Sequence, residues 1–431
     1  MKNTIKNLTL EQINKNLIFI AIASLLFRIG NFSTNYLPKP FELIVLIIVL
    51  LTIIDALKNN KSKEFFFSIH KNIRITLIFL VSSVLIGWGV SILKGIPISF
   101  NSILEFGTFI FSLTIFILII IYTRNDKTYI KKYLYALLFP IVYTVFILFP
   151  DIAYYFNLAL GTHFVGFTGN PNIISKILLI PIIFFTSKSL FEKENKWLNI
   201  AYITTSSFLV SLLFWTSSRG AIFSLILGMI FIWLVFSLNN FNWKKLFKSG
   251  VIIFLICLIG FILTPKGVKG IVVDRIFNTE IVNIQTNNKP AVEIINNISK
   301  DSNLIKFNNT NELRLQIWYY YLGYILSNPL GIGPNTHMDF RLIDNNGNPI
   351  NSGPHNTYLQ VWFWGGILGF LSFIYIIFLT FKNLKTKLQL NFNIINLSLI
   401  AILFTLSISI SFDDSLSSYW FFTILALSLR K

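Results

Sequence analysis

Three side chains in this sequence combine a type and a setting suited to anion and proton chemistry: Arg219, Arg314 and His355. Arg219 sits in Thr216-Ser217-Ser218-Arg219-Gly220, a connector of a few residues between two apolar runs. An arginine at such a depth is costly to bury unless it meets an anion or snorkels to the surface. Guanidinium binds phosphate with two parallel hydrogen bonds and keeps its proton at any relevant pH. His355, followed by Asn356, falls where another apolar run begins. A helix start presents unpaired N–H groups and the positive end of the dipole, a natural anion site. An imidazole there can take a hydroxyl proton near neutral pH. Two guanidiniums beside one imidazole suit transfer from a pyrophosphate-linked donor to an alcohol. His337 and Arg341 lie in the same turn-rich stretch as candidate supporting groups, and Asn356 is a candidate substrate contact. No Asp-x-Asp pattern occurs, and no metal site is expected.

The rest of the chain must hold these groups in a membrane. Of its 431 residues, 54% are hydrophobic and only 13% charged, about half the charged share of a soluble domain. The apolar residues come in blocks that approach or reach the ~20 residues needed to cross a bilayer core. We expect spans near 16–33, 41–57, 75–93, 101–122, 133–150, 173–186, 198–216, 220–238, 250–264, 356–381, 393–411 and 416–429. A soluble enzyme and a single-anchor receptor are thereby excluded. The fold class is all-α: a polytopic membrane protein of about twelve transmembrane helices. The first apolar run follows a polar tail and precedes no small-residue cleavage site, so it reads as an uncleaved span. The single Cys257 permits no internal disulfide.

The net charge of +18 is distributed by side, which speaks for a membrane rather than for nucleic acid. Most of the Lys and Arg fall in the N-terminal tail and in alternate connectors: Lys58–Arg74, Arg124–Lys132, Lys188–Lys196, Lys244–Lys248, Lys382–Lys387 and the C-terminal end. The positive-inside rule puts that side, with both termini, in the cytoplasm. The opposite connectors hold little beyond Arg28, Lys39, Lys94 and Arg219. The chain then divides into a bundle over 1–264, an extracytoplasmic loop over 265–354 and C-terminal helices over 355–431. A loop that long is usually functional or disordered. Within it Leu313, Ile317, Tyr320, Tyr321 and Tyr324 recur at helical spacing, predicting an amphipathic helix near 311–327 that lies on the membrane face. Its end at Ser327-Asn328-Pro329 leads into Gly331-Ile332-Gly333-Pro334, then on to Gly353-Pro354-His355-Asn356. Glycines and prolines fix the backbone path there. Gly365, Gly366 and Gly369 follow in the next span, small residues that let a neighbouring helix approach.

These residues resemble a family of membrane glycosyltransferases, the O-antigen ligases and O-antigen polymerases. Its recurring pattern is His, then Asn, Ser or Gln, nine residues, Gly, two residues, then Gly, Thr or Tyr. Here it reads His355-Asn356, Thr357–Gly365, Gly366-Ile367-Leu368-Gly369. Ser218-Arg219-Gly220 matches the family's Ser-Arg-Gly at a span's start. Arg314, Trp318 and the Asn328–Gly333 turn match its arginine, Trp-bearing loop helix and following turn. Asn170-Pro171-Asn172 is a weaker match, and the resemblance covers roughly 165–380.

The resemblance implies a glycan donor on undecaprenyl pyrophosphate, presented at the outer face of a bacterial plasma membrane. The acceptor is a sugar hydroxyl: lipid A core for a ligase, a second lipid-linked glycan for a polymerase. Arg219 and Arg314 would hold the pyrophosphate, His355 would orient or deprotonate the acceptor, and the anomeric centre would invert. No nucleotide sugar, cofactor or metal is implied. The motifs do not separate ligase from polymerase, and ligase is the reading taken here.

Plainer readings stand beside these. His355 could be an interfacial residue near a helix cap, Arg219 a snorkelling arginine and Arg314 a surface charge. His163 reads as structural, and Asp413-Asp414 as a solvated turn or as contacts to sugar hydroxyls. The rival from another class is a transporter of lipid-linked oligosaccharide. Transporters favour repeats, broken helices and polar groups at the midplane. Here the spans are mostly clean, Lys176 being the main exception, and the candidate groups gather at one edge.

Overall fold

The computed structural model describes residues 9–25, 40–96, 98–123, 128–147, 171–191, 195–238, 243–265, 268–269, 305–306, 310–334, 342–343, 353–412 and 419–429. The helices, in order, are α1 (Leu10–Ala23), α2 (Pro40–Lys58), α3 (Ser62–Ser68), α4 (Lys71–Leu93), α5 (Phe100–Thr123), α6 (Thr128–Ile147) and α7 (Pro171–Phe191). They continue with α8 (Lys196–Trp215), α9 (Arg219–Leu238), α10 (Trp243–Leu263), α11 (Thr310–Ser327), α12 (Thr357–Leu390), α13 (Ile394–Ser409) and α14 (Tyr419–Leu429). Strand structure among the described residues is one parallel pair of two residues each, Ile305–Lys306 with Leu342–Ile343. Each of the twelve expected spans overlaps a helix, but the span near 16–33 continues past the end of α1 at Ala23, and parts of the spans near 16–33, 133–150 and 416–429 lie outside the described residues; the expected loop helix is α11.

The protein is an all-α polytopic membrane protein. Among the described residues, α2, α4, α5, α7, α8, α9, α10 and α12 are long and apolar enough to cross a bilayer, with α13 and α14 as shorter apolar helices. Their surfaces show why. On α2, Phe41, Val45 and Ile48 are buried, while Leu46, Leu50, Ile53 and Ile54 are exposed on the other faces. A helix apolar on every side suits lipid on one side and protein on the other. Inside the bundle, small hydroxyls return their hydrogen bonds to the preceding turn: Ser112 to Thr108, Ser224 to Gly220, Thr380 to Ile376 and Thr405 to Ala401. They thereby allow close packing without leaving a donor unpaired in lipid.

Several helices run past the expected spans, because charged residues end an apolar run without ending a helix. α12 has 34 residues, about 51 Å at ~1.5 Å per residue, against a bilayer core of ~30 Å. Its last turns carry Lys382, Lys385 and Lys387 beyond the apolar stretch. α10 opens on Trp243-Lys244-Lys245, and α1 starts at Leu10, six residues early. The α1 start is fixed by a capping box: the Thr9 hydroxyl accepts from the Gln12 amide, and the Gln12 side chain accepts from the Thr9 amide. The seven-residue α3 has no counterpart among the expected elements.

Packing sets which chain ends meet. α12 runs antiparallel along α4, α9 lies against α13, and α7 sits between α8, α9 and α13. α7 is the most enclosed of the candidate spans. α14 packs on α5, and the Tyr419 hydroxyl donates to the Glu42 carboxylate of α2.

Candidate functional site

The site is built around a break in α12. At Gly366 the backbone leaves helical geometry, with φ 60° and ψ −162°. The turn after α11 fills the gap. The Ile332 amide donates to the Phe363 carbonyl at 2.9 Å, the Gly333 amide to the Trp364 carbonyl at 2.8 Å, and the Ile367 amide to the Pro329 carbonyl at 2.9 Å. Each of these α12 groups would otherwise lack a helical partner, at several kcal/mol apiece in a lipid environment. The residue types follow from the contact. Gly331 and Gly333 have φ of 79° and 72°, and a Cβ on Gly366 would collide with the Pro329 carbonyl oxygen. A Cβ on Gly87 of α4 would in turn strike the Trp364 carbonyl. The Ser91 hydroxyl donates to the Ile332 carbonyl, and the Lys94 ammonium to the Asn328 side-chain carbonyl. Asn328–Gly333 and the glycines of the His-Asn-x9-Gly-x2-Gly pattern are therefore two halves of one joint.

That joint carries His355 at its edge. The Trp318 indole N–H donates to the Pro354 carbonyl at 2.7 Å, tying α11 to the residue before the histidine. Tyr321 and Tyr324 press their rings on Phe363, with centroids 4.7 and 5.9 Å apart. Burial pushes the Tyr324 phenol above its ordinary pKa, so it remains a neutral donor at physiological pH. His355 has φ 46°, a left-handed conformation uncommon for a non-glycine residue. Asn356 then caps α12, its side chain accepting from the Tyr358 and Leu359 amides at 3.0 and 3.2 Å. His355 is half-buried, between the indole-anchored loop and the helix start.

Arg219 opens α9 and is exposed, above a connector in which Thr216, Ser217 and Ser218 are buried. Ser217, with φ 53°, makes the sharp turn from α8 into α9. Backbone strain of this kind persists only where its surroundings hold it, and it gathers at functional sites. Arg219 and His355 reach the same end of the bundle through α13. The Tyr358 hydroxyl donates to the Ser407 carbonyl at 2.7 Å, and a Cβ on Gly228 of α9 would touch Thr405. α9 starts nine residues before Gly228, about 13 Å along its axis at ~1.5 Å per residue. Both groups therefore sit at the C-terminal end of α13. Arg314 belongs to α11, one helical turn before Trp318, so its backbone lies near the Trp318–Pro354 bond. His337, Arg341, His163 and Asp413-Asp414 fall outside the described residues. Among the described residues no group of three His, Cys, Asp or Glu side chains could hold a metal ion.

Sequence reasoning took Lys94 as a boundary charge, whereas it fastens the Asn328 turn. The Trp318–Pro354 bond was also not anticipated. A tryptophan at helical spacing inside a turn-rich loop is the signal that could have suggested an anchor.

Residues 204–374 match the family model described as O-antigen ligase, a segment that contains Arg219, Arg314 and His355. No curated protein sequence matches the chain.

Proposed function

Taking as premise that the chain carries an O-antigen ligase family domain over 204–374, we propose that it transfers a glycan from undecaprenyl pyrophosphate to a sugar hydroxyl, as a ligase does. The domain supports function of the O-antigen ligase or polymerase type in general, with lipid-linked glycan and saccharide substrates. The observation that carries the finer reading is the Trp318–Pro354 bond, which joins the helix of Arg314 to the His355 turn at the end of the bundle where Arg219 opens α9.

In this reading Arg219 and Arg314 grip the diphosphate with their forked N–H groups and stabilise the charge that grows as the lipid diphosphate departs. His355 accepts the acceptor hydroxyl's proton as its oxygen attacks the anomeric carbon. Attack opposite the leaving group inverts that centre. Asn356 shapes the helix start beneath the histidine, and His337 and Arg341 belong to the same loop as supporting groups. Deleting the gene separates the two sub-types on a gel of surface polysaccharide. Unattached long chains are the result expected for a ligase, whereas single repeat units would assign polymerase activity instead.

The site faces away from the cytoplasm, on the strength of the lysine-rich connectors at the opposite end of the bundle. The protein then belongs in a bacterial plasma membrane with both termini cytoplasmic. A reporter fused after Asn297 is expected to give an extracytoplasmic signal. A cytoplasmic one would invert the topology and remove the donor from reach.

A further inference from the structure

α4 and α12 touch closely beside the joint, where a Cβ on Gly365 or Gly369 would strike the Ser83 hydroxyl. Beyond that contact, toward the end of the pair remote from His355, they line a groove of about 640 Å³. Sites that hold small ligands run to ~300–1,000 Å³. The floor of the groove is Thr76 and Ser372, small and buried. Its rim is Ile75, Phe79, Leu371 and Phe378, large, apolar and exposed. The Thr76 hydroxyl donates to the Asn72 carbonyl at 2.6 Å, so it presents its methyl group without an unmet donor. Such a trough suits hydrocarbon.

Charge crowns one end of it. On α12 the groove face runs through Leu371, Ile374 and Phe378, then continues four and seven residues on to Lys382 and Lys385. On α4, Lys71 stands four residues before Ile75, again on the groove face. All three lysines are exposed. Basic residues at this end of the bundle follow the general rule for membrane proteins; these are set apart by sharing the groove's own stripe. Arg74 is turned onto the Phe67 ring, 5.0 Å from its centroid. Neither α4 nor α12 contains Asp or Glu, and neither do α13 and α14, which pack on α12. Leu371 and Lys382 are eleven residues apart, about 16 Å along the helix and close to half of a ~30 Å bilayer core.

We propose that this groove binds one anionic phospholipid from the leaflet on the lysine-rich side, cytoplasmic in the topology proposed above. An acyl chain lies along the trough between Ile75, Phe79, Leu371 and Phe378, and the phosphate sits among Lys71, Lys382 and Lys385. Basic pockets between membrane helices recognise anionic headgroups in this way. The chain supplies apolar contact for any lipid, and the lysines choose the headgroup. The inference stands whatever reaction occurs at the other end of the bundle.

The test uses the full-length protein in detergent, with lipid binding read by native mass spectrometry. Phosphatidylglycerol and phosphatidylcholine with identical chains are the probes. Wild type is expected to hold one phosphatidylglycerol, about tenfold more tightly than phosphatidylcholine. A lysine near an anionic lipid is worth about fivefold, so Lys382→Gln/Lys385→Gln should cost roughly 25-fold for phosphatidylglycerol and little for phosphatidylcholine. Ser372→Phe, which fills the floor, should weaken both lipids, its lipid-free melting point reporting whether the fold survives. Wild type needs no variant for a further check: glycerophosphoglycerol, the headgroup without chains, should not displace the lipid. Equal affinity for the two lipids, displacement by the bare headgroup, or undiminished binding in a folded Ser372→Phe would each overturn the proposal. So would a lipid-free pair of protein chains, which gives the groove to a second copy, or preference for undecaprenyl phosphate, which gives it to a polyprenyl tail.

Discussion

His355→Ala is expected to abolish glycan transfer while the protein stays in the membrane at its wild-type level. A positioned general base contributes roughly 10²–10⁴-fold, and alanine offers no acceptor for the hydroxyl proton. The fold should survive, because Asn356 supplies the α12 cap and the Pro354 carbonyl binds Trp318 irrespective of the side chain between them. Alanine tolerates φ 46° no better than histidine, so the substitution relieves no backbone strain. Loss of initial rate at saturating donor and acceptor, measured beside the amount of folded protein, checks this. Full activity would remove His355 from the chemistry.

Arg219→Lys is the second large effect. The substitution keeps the charge and discards the fork. A lysine ammonium makes one point contact where guanidinium makes two parallel bonds. A hydrogen bond to a charged group is worth ~1.5–3 kcal/mol, so a loss of about 10–100-fold in donor kcat/KM is expected. Stability should be untouched, since Arg219 is exposed at the start of α9. Wild-type turnover would mean that point charge suffices or that Arg219 stands away from the diphosphate. The two variants should also part company. Arg219→Lys weakens donor binding, whereas His355→Ala leaves it and blocks the step that follows.

Much of this is legible in the amino-acid sequence alone. The apolar blocks locate the helices because a bilayer core demands ~20 apolar residues from each span. The turn after α11 announces itself by glycine and proline. Helix ends were less legible: the lysines at 382–387 and 244–248 close apolar runs, yet the backbone continues through them, since lysine is a good helix former. The break at Gly366 was hidden for a related reason. The apolar pattern runs unbroken through Trp364, Ile367 and Leu368, and the glycine read as a place for a neighbouring helix. Its visitor is instead the backbone of Pro329–Gly333, brought in from the loop. Partners so far apart in sequence leave no local period. The approach of Arg219 to the His355 end had the same difficulty, because it depends on α13, whose register against α9 is set by the Gly228–Thr405 contact rather than by either motif.

The central claim, that these groups do chemistry on a lipid diphosphate rather than move it, is most directly tested by reconstitution. Purified protein in liposomes is supplied with an undecaprenyl-pyrophosphate-linked glycan and a saccharide acceptor, and glycosylated acceptor and released lipid diphosphate are counted together. The account predicts equal amounts of the two from wild type and neither from His355→Ala. Donor delivered intact to the opposite leaflet, with no new glycosidic bond, would contradict it and assign the protein to transport.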